Sequence, residues 1–373
     1  MPSLIVFLEL AAIAIIFAGL PLLYIWRKAG YSYFQKLNWV LVFMTFDLIV
    51  FGAFTRLTDS GLGCPDWPGC YGTSNPFHAL SDIQQAESAL PTGPVTVIKA
   101  WIEMIHRYLA MTVGALILVQ VVIASQKLKS LGRNPLLGSL GLLALVCVQG
   151  AFGAWTVTLK LQPIIVTIHL MLALVLLACL TMYAQQSWEE KLSAIRTIRV
   201  RPLPAQLLLL SFIVLAIQVF LGAWVSTNYA VLACPDFPTC LGSAWPETNW
   251  GEGFTLWRQL GLNAQGEFIS PIALQTIHWA HRLFAVLVLI VLGTLGWKAL
   301  QLATPVLAGL SRAAKLLLGL LLLQVLTGIS NVVFQWPLLA ALLHTAGSAA
   351  LVFCLVRMSY WSSWKPFIQN TIE

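Results

Sequence analysis

Four histidines occur as two matched pairs in long apolar stretches of the chain. His106 and His169 correspond to His281 and His344 at a constant offset of 175 residues. A lone histidine among apolar helices often only hydrogen-bonds a neighbouring helix, but two pairs at matched positions indicate a function. Two imidazoles on facing helices suit bis-axial ligation of a haem iron. A copper or zinc site would require further ligands, and the apolar stretches supply no thiolate or carboxylate cluster for one.

An arginine follows the first histidine of each pair. Arg107 follows His106, and Arg282 follows His281. Each arginine lies at the outer end of its apolar stretch, where it is placed to meet haem propionates that point toward water. The alternative is that each side chain only extends its charged head to the membrane surface.

The residue one helical turn before the leading histidine differs between the pairs. Glu103 precedes His106 on the same helical face, where a carboxylate could move a proton or orient a substrate group beside the iron. Pairing of Glu103 with Arg107 or Lys99 is the other interpretation. His278 stands at the equivalent place in the second half, as a hydrogen-bond donor behind the site or an interfacial side chain. We do not predict it to be a ligand.

Two cysteine pairs lie in the long loops: Cys64 with Cys70, and Cys234 with Cys240. A spacing of six residues can be bridged by a tight loop, so we predict one disulfide in each pair. Such loops could stiffen the chain over the histidine sites, or exchange electrons or thiols with a partner. A zinc site is disfavoured because no third ligand is near. The remaining three cysteines lie within apolar stretches and read as core residues.

The composition shows which elements must position these side chains. Hydrophobic residues make up 59% of the 373 residues and charged residues 9%, with a mean hydropathy of +0.83. These values exclude a soluble enzyme, a nucleic-acid-binding module and a disordered scaffold, and they leave a polytopic all-α membrane protein. Nine stretches are long enough to span a bilayer: 4–26, 38–56, 101–124, 136–158, 162–184, 206–226, 272–297, 314–334 and 338–358.

The basic residues predict the orientation of these spans. Fifteen of the 21 Lys and Arg residues fall in loops on one side, which is therefore the cytoplasmic side of the plasma (inner) membrane. The net charge of +7 reflects this distribution rather than an anionic partner. Both cysteine loops then face the outer, periplasmic side, where disulfides persist. The first span could be a cleaved signal peptide, but its start, Met1-Pro2-Ser3, has no basic residue and favours an uncleaved anchor.

The last eight spans form an internal repeat. The segment 52–72 matches the segment 222–242 at an offset of 170, and the offset becomes 175 beyond the long loops. Each half enters the membrane in the same direction, so the repeat is parallel. The expected architecture is two tandem four-helix bundles related by a pseudo-two-fold axis, plus one extra N-terminal helix. The predicted domains are 1–36 (anchor and cytoplasmic linker), 37–200 and 201–373.

These motifs identify a family resemblance over roughly residues 38–360. The chain resembles haem A synthase, the membrane enzyme that converts haem O to haem A for cytochrome oxidase. The resemblance is carried by the run from Gly52 to Cys70 (Gly-Ala-Phe-Thr-Arg-Leu-Thr-Asp-Ser-Gly-Leu-Gly-Cys-Pro-Asp-Trp-Pro-Gly-Cys), by Glu103-x-x-His106-Arg107, and by the repeated His and Cys pattern. The extra N-terminal span departs from the family pattern, and we have no functional account of it.

The resemblance implies a division of labour between the halves. His281 and His344 would hold a resident haem B, and His106 and His169 would take up the substrate haem O. Glu103 matches the family's carboxylate beside the substrate. The implied reaction oxidises the C8 methyl group of haem O to a formyl group by two hydroxylations and loss of water. The implied partners are membrane lipid, an unidentified electron donor, haem O synthase and cytochrome oxidase assembly factors, with no nucleic acid.

Two other functions remain open from the residues alone. A di-haem b-type cytochrome would use the same two histidine pairs only to carry electrons, but it needs no carboxylate at one iron and would retain both haems. A haem transporter or chaperone would use the histidines as transient ligands and leave the haem chemically unchanged. The electron donor, the oligomeric state and the source of oxygen are not visible in the sequence.

Overall fold

Eight long helices account for most of the architecture. The computed structural model describes residues 23, 25–27, 32–189, 203–302 and 308–362. Within these ranges, eight helices are long and apolar enough to cross a membrane, and they confirm the eight repeated spans. They are α1 (Tyr33–Leu57), α2 (Val97–Gln126), α3 (Arg133–Thr158), α4 (Pro163–Glu189), α5 (Ala205–Thr227), α6 (Pro271–Gln301), α7 (Ala308–Val333) and α8 (Leu338–Ser362). The predicted first span, 4–26, lies almost entirely outside the described residues.

Short elements occupy the connections between the long helices. One helix, Leu80–Ala89, lies in the α1–α2 connection, and one turn, Leu128–Leu131, links α2 to α3. In the α5–α6 connection a 3₁₀ turn, Ala230–Leu232, precedes the short helix Trp250–Gly253. The two long connections are the segments that carry the cysteine pairs.

The starts of three long helices follow from local capping. The Ser32 side chain accepts a hydrogen bond from the Gln35 backbone N–H, and Gln35 returns one to Ser32, which forms a capping box before α1. Thr96 caps α2 and Ser270 caps α6 by accepting backbone N–H groups. Lipid offers no hydrogen-bond partner to backbone N–H and C=O groups, so these segments form helices, in which the backbone groups bond to one another.

The helices pack as two rings of four. In the first ring α1 contacts α2, α2 contacts α3, α3 contacts α4 and α4 closes on α1; α5 to α8 repeat this order. The rings meet through α4 on α8, α4 on α5 and α8 on α1. The largest buried apolar cluster runs through this junction and includes Leu177, Leu180, Leu355 and Met358. The histidine-bearing helices α4 and α8 therefore stand at the centre of the molecule.

The two halves repeat in backbone conformation as well as in sequence. Residues with positive φ other than glycine occur at four pairs of equivalent positions in the loops. The pairs are Asp59 and Tyr229, Tyr71 and Leu241, Lys160 and Gln335, and Leu161 and Trp336. Residues other than glycine rarely adopt a positive φ, so its recurrence at equivalent positions means that corresponding loops follow the same path.

Equivalent residues also contact each other between the halves. Nη2 of Arg56 donates to the carbonyl oxygen of Ser226 at 2.6 Å, and the Tyr229 hydroxyl donates to Asp59 at 2.6 Å. Both pairs are separated by 170 residues, the repeat offset. A residue can contact its own equivalent only close to the axis that relates two copies. These contacts, together with the packing of α4 on α8, are those expected of a pseudo-two-fold arrangement.

Candidate functional site

All four repeated histidines line one continuous, largely apolar cavity of about 800 Å³. This volume lies within the range of roughly 300–1,000 Å³ typical of pockets for organic ligands. The histidines lie within about three turns of the helix ends that follow the loops on one side of the bundle, the side that carries both cysteine pairs. Glu103, Arg107, His278 and Arg282 also line the cavity. The structure therefore brings together all of the non-cysteine site residues predicted from the sequence.

Each histidine ring packs against a glycine on the preceding helix. A Cβ atom added at Gly222 would lie 2.9 Å from Cε1 of His281, and one added at Gly52 would lie 3.0 Å from Cε1 of His106. The corresponding distances at Gly153 and Gly328 are 3.3 and 3.4 Å. The four pairs are Gly52 with His106, Gly153 with His169, Gly222 with His281, and Gly328 with His344. The glycines thus provide the space in which the rings stand.

Three of the four histidines are also held through their backbone. A glutamine four residues before the glycine donates from its amide to the histidine carbonyl oxygen. The three bonds are Gln149 to His169 at 3.0 Å, Gln218 to His281 at 3.2 Å and Gln324 to His344 at 3.0 Å. Leu48 stands at the fourth position, four residues before Gly52, so His106 lacks this support.

The ring nitrogens are also supported unequally. The amide of Gln218 lies 3.2 Å from Nδ1 of His281, and the hydroxyl of Thr327 lies 2.9 Å from Nδ1 of His344. Nδ1 of each N-terminal histidine is buried and has no hydrogen-bond partner in the described part of the chain. The two histidine pairs therefore share a position but differ in what stands behind them.

The C-terminal pair has the dimensions of a two-coordinate metal site. The ring centroids of His281 and His344 lie 6.4 Å apart. A single metal atom between two imidazole nitrogens, at about 2.0–2.1 Å from each, requires roughly this separation once the radius of each ring is added. No group of three or more His, Cys, Asp or Glu side chains able to hold a metal was found among the described residues. The donor set suits a metal that brings its own equatorial ligands, as haem iron does.

Glu103 is paired with Arg107, as one interpretation of the sequence predicted. Its Oε1 lies 2.6 Å from Nη2 of Arg107, and its Oε2 accepts the backbone N–H of Cys64 at 2.8 Å. The side chains of Glu103 and Arg107 are 5% and 9% exposed, so the pair is shielded from water. Glu103 thereby ties α2 to the first cysteine loop. Its predicted role in proton transfer stays a prediction.

Both arginines bind the cysteine loops. Nη1 of Arg107 donates to the carbonyl oxygens of Asp66, Pro68 and Gly69. Nη1 of Arg282 makes two equivalent contacts in the second half, to the carbonyl oxygens of Asp236 and Thr239, and Nη2 donates to that of Cys234. The loop carbonyls take up Nη1 of Arg107 and both terminal nitrogens of Arg282, and Nη2 of Arg107 pairs with Glu103. Contact of either arginine with a haem propionate stays a prediction.

His278 takes the place of Glu103 in the second half. The Nε2 atom of His278 accepts a hydrogen bond from Nε of Arg282 at 3.2 Å, and the side chain is buried. The halves therefore orient their arginines in two ways: with a carboxylate in the first and a neutral ring nitrogen in the second.

The cysteine loops are closed as predicted, by disulfides Cys64–Cys70 and Cys234–Cys240. An aspartate inside each loop binds two backbone N–H groups across it. Asp66 accepts from Tyr71 and Gly72, both at 2.7 Å, and Asp236 accepts from Leu241 and Gly242 at 2.6 and 2.9 Å. The aromatic residue that follows each aspartate, Trp67 or Phe237, lines the cavity, so each loop forms part of its wall.

The charge state of Asp236 follows from these contacts. The Thr239 hydroxyl and the backbone N–H groups of Gly242 and Leu241 all donate to its carboxylate and lower its pKa to about 2. The carboxylate therefore stays ionised, and keeps accepting these hydrogen bonds, throughout the neutral and mildly acidic range.

Sequence reasoning missed the residues that support the histidines. The glycines at 153 and 328 and the glutamines at 149 and 324 recur at the offset of 175, but the repeat alone assigns them no role. The spacing Gln-x-x-x-Gly, which occurs in α3, α5 and α7 and becomes Leu-x-x-x-Gly in α1, could have indicated their shared role. Thr327 carries no such signal, because its equivalent in the first half is Phe152.

Comparisons with known proteins agree with this geometry. Residues 35–356 match the profile of the COX15-CtaA family, described as "Cytochrome oxidase assembly protein". The chain is similar to the "Heme A synthase" of Shewanella oneidensis, with 38% identity over 88% of this chain and 97% of that protein. Proteins of the same name from Caulobacter vibrioides and Beijerinckia indica are 28% and 31% identical, over 84% and 83% of this chain and 91% and 87% of theirs.

Proposed function

Because the chain belongs to the COX15-CtaA family, we propose that it is a haem A synthase, a multi-pass membrane enzyme that oxidises haem O to haem A. The observation that carries the proposal is the 38% identity over 88% of the chain to a protein of that name. The four histidines around one apolar cavity support it, since a substrate that is itself a haem requires an axial ligand set and an apolar pocket.

The resident cofactor is haem B, held by His281 and His344 in the C-terminal bundle, which spans residues 201–373. The ring separation of 6.4 Å and the hydrogen-bond partners of both Nδ1 atoms support this assignment. When bound there, haem B supplies a one-electron redox centre. Gln218 and Thr327 orient the two rings, and the glycine beside each ring leaves it room to stand upright.

The substrate haem O binds His106 and His169 in the N-terminal bundle, residues 37–200. Support comes from the equivalence of this pair to the C-terminal pair and from the continuous cavity that both pairs line. Oxidation of the C8 methyl group through two hydroxylations gives a geminal diol, which loses water to leave the formyl group; this four-electron oxidation of haem O requires an oxidant from outside the chain. Glu103 provides the carboxylate that accepts and returns protons beside this site, while Arg107 keeps it oriented.

The cysteine loops lie on the outer, periplasmic side of the plasma (inner) membrane. The asymmetric distribution of Lys and Arg over the loops supports this orientation, since the positive side is cytoplasmic. The four histidines then lie toward the outer leaflet, where Arg107 and Arg282 mark the polar end of each site. Haem O synthase, cytochrome oxidase assembly factors and an electron donor are the partners that this activity requires.

The direct test is haem extraction and chromatography on protein purified from cells that also supply haem O. We expect haem B together with haem A or a hydroxylated form of haem O. Replacement of His281 or His344 by alanine should deplete haem B, and replacement of His106 or His169 should abolish haem A while haem B remains.

Two results would contradict the proposal. Two molecules of haem B per chain, with no oxidised haem, would indicate a di-haem electron carrier. Haem O that is chemically unchanged and dissociates from the protein during purification would indicate a transporter or chaperone. Full haem B occupancy and an unchanged spectrum in the His281 and His344 variants would remove the assignment of the resident site.

A further inference from the structure

The two halves hold equivalent histidines with different hydrogen-bond partners. Behind the C-terminal rings stand Gln218 and Thr327. At the equivalent positions of the first half stand Leu48 and Phe152, neither of which can form a hydrogen bond through its side chain. The glycine beside each ring is the same in all four cases, so the glycines do not account for this difference.

The contact of Thr327 defines the protonation of the His344 ring. The Thr327 hydroxyl donates its hydrogen to the Leu323 carbonyl oxygen at 2.7 Å, so its oxygen is free to accept. With the hydroxyl hydrogen directed to Leu323, we assign Nδ1 of His344, 2.9 Å from that oxygen, as the donor. The hydrogen on Nδ1 leaves Nε2 with a free electron pair, which is the form of imidazole that binds a metal.

Gln218 supports His281 at two points. Its amide nitrogen donates to the His281 carbonyl oxygen and lies 3.2 Å from Nδ1 and 3.5 Å from Nε2 of the ring. The amide oxygen of Gln218 is buried without another partner, so it is available to accept from an Nδ1–H group when the amide turns. In one amide orientation Gln218 therefore holds the backbone of this ligand, and in the other it accepts from the ring.

The N-terminal rings lack these restraints. A ring that binds a metal through Nε2 carries a hydrogen on Nδ1, and in His106 and His169 that atom is buried without a partner among the described residues. Leaving such a group unsatisfied weakens the bound state, and losing a partner behind a metal-binding histidine typically reduces metal affinity by about 10–100-fold.

From these contacts we propose that Gln218 and Thr327 make the C-terminal histidines a retaining haem site, and that Leu48 and Phe152 make the N-terminal histidines a releasing one. The inference rests on the proposed function, in which one haem must stay and the other must leave as product. The four residues act through the ligands rather than on the haem, so they are positioning residues.

The test measures transfer of haem B from the purified protein to excess apomyoglobin. We expect Thr327→Val and Gln218→Leu each to speed release from the C-terminal site by roughly 10–100-fold. Thr327→Ser keeps the hydroxyl and should release at the wild-type rate. Thr294→Val is the matched control, because Thr294 caps only the Ile290 carbonyl on the exposed face of α6.

A second readout separates a hydrogen bond from loosened packing. Without the Thr327 contact, the imidazole donates less electron density, so the midpoint potential of the retained haem should rise in Thr327→Val and not in Thr327→Ser or Thr294→Val. The converse exchange, Leu48→Gln with Phe152→Thr, should slow the release of loaded haem O from the N-terminal site by a similar factor.

Wild-type release rates in both Thr327→Val and Gln218→Leu would overturn the inference, as would equal acceleration in Thr327→Ser or Thr294→Val. These outcomes are independent of the proposed activity. Faster haem release in the variants, without any haem A formation by the wild-type protein, would reject the activity and keep the inference. Haem A formation by the wild-type protein, with unaltered release in the variants, would keep the activity and reject the inference.

Discussion

At the scale of single residues, the Glu103 carboxylate performs two tasks that a substitution must separate. One oxygen pairs with Arg107 at 2.6 Å and the other accepts the Cys64 N–H at 2.8 Å, in a place that is nearly closed to water. Removal of the side chain would leave Arg107 buried with fewer partners, and an uncompensated buried charge is costly. Glutamine retains an acceptor for Cys64 and fills the same space, but it loses the charge, the proton and the oxygen that accepts from Arg107.

We therefore expect Glu103→Gln to keep haem B and the loop but to lower haem A formation by about 10²–10⁴-fold, the usual contribution of a positioned proton donor or acceptor. The measurement is the ratio of haem A to haem B in the purified variant. Glu267→Gln, a change on the exposed α5–α6 connection, is the control. A normal ratio in Glu103→Gln would exclude a role for this carboxylate in the reaction.

Asp236 gives a prediction for the loop and its pH dependence. Because its pKa is lowered to about 2, the stabilisation is fully present above the ordinary pKa near 4 and is lost as the pH falls through 2. Asp236→Asn removes one acceptor oxygen at every pH. We expect faster hydrogen exchange at residues 234–243 in this variant at neutral pH, and in the wild type full protection down to about pH 4 with progressive loss below it. Exchange no faster than in Asp82→Asn, an exposed control, would contradict this role.

At the scale of the elements, the glycines control how closely the ligand helices approach. A Cβ on Gly222 would lie 2.9 Å from the His281 ring, which real Cβ contacts almost never show, and one on Gly328 would lie 3.4 Å from the His344 ring, a nearly ordinary contact. The two positions therefore differ in how easily they accept an added methyl group, although each glycine stands beside a histidine on the following helix.

We expect Gly222→Ala to lower haem B occupancy strongly and Gly328→Ala to lower it little, because only the first change must displace a ring that Gln218 also restrains. The measurement is the haem-to-protein ratio after purification. Gly293→Ala is the control, since a Cβ there meets no atom within 4 Å. Equal occupancy in the Gly222 and Gly328 variants would show that the rings tolerate the added methyl groups.

The elements were predictable to a few residues, and the contacts between them were not. The expected spans 38–56 and 338–358 became helices Tyr33–Leu57 and Leu338–Ser362, because a membrane requires about 20 apolar residues and leaves little choice of position. The histidine and cysteine pairs were predictable from the repeat. The hydrogen bonds from Arg107 to the loop carbonyls, and the contact of the Thr327 hydroxyl with His344, depend on the paths of separate segments of the chain. No periodic pattern in the sequence reveals those paths.

At the scale of the whole molecule, Arg56 connects the two halves beside their junction. Its guanidinium group lies 4.0 Å from the centre of the Tyr229 ring and donates to the Ser226 carbonyl oxygen at 2.6 Å. A cation over an aromatic ring and a charge-assisted hydrogen bond each contribute about 0.5–3 kcal/mol. The connection lies at the end of the bundle that carries the cysteine loops.

Arg56→Gln should therefore lower the thermal midpoint of the purified protein and loosen the junction, by an amount on the order of 1–3 kcal/mol. Thermal unfolding in detergent, followed by circular dichroism, measures the change. Lys127→Gln removes an exposed cation that follows α2 at the opposite end of the bundle, and it should leave the thermal midpoint unaltered. An equal midpoint in the two variants would show that Arg56 contributes nothing to the junction.

The contact between Asp59 and Tyr229 has a consequence for the ancestry of such a chain. If two identical copies of one half once paired as a homodimer, the residue at this position would have faced itself, as two repelling aspartates or two tyrosines competing for one space. A hydroxyl donating to a carboxylate requires two different residues. That pairing is accessible only to halves that can mutate separately, so positions on the axis are places where divergence between the halves adds a contact that two identical copies could not form.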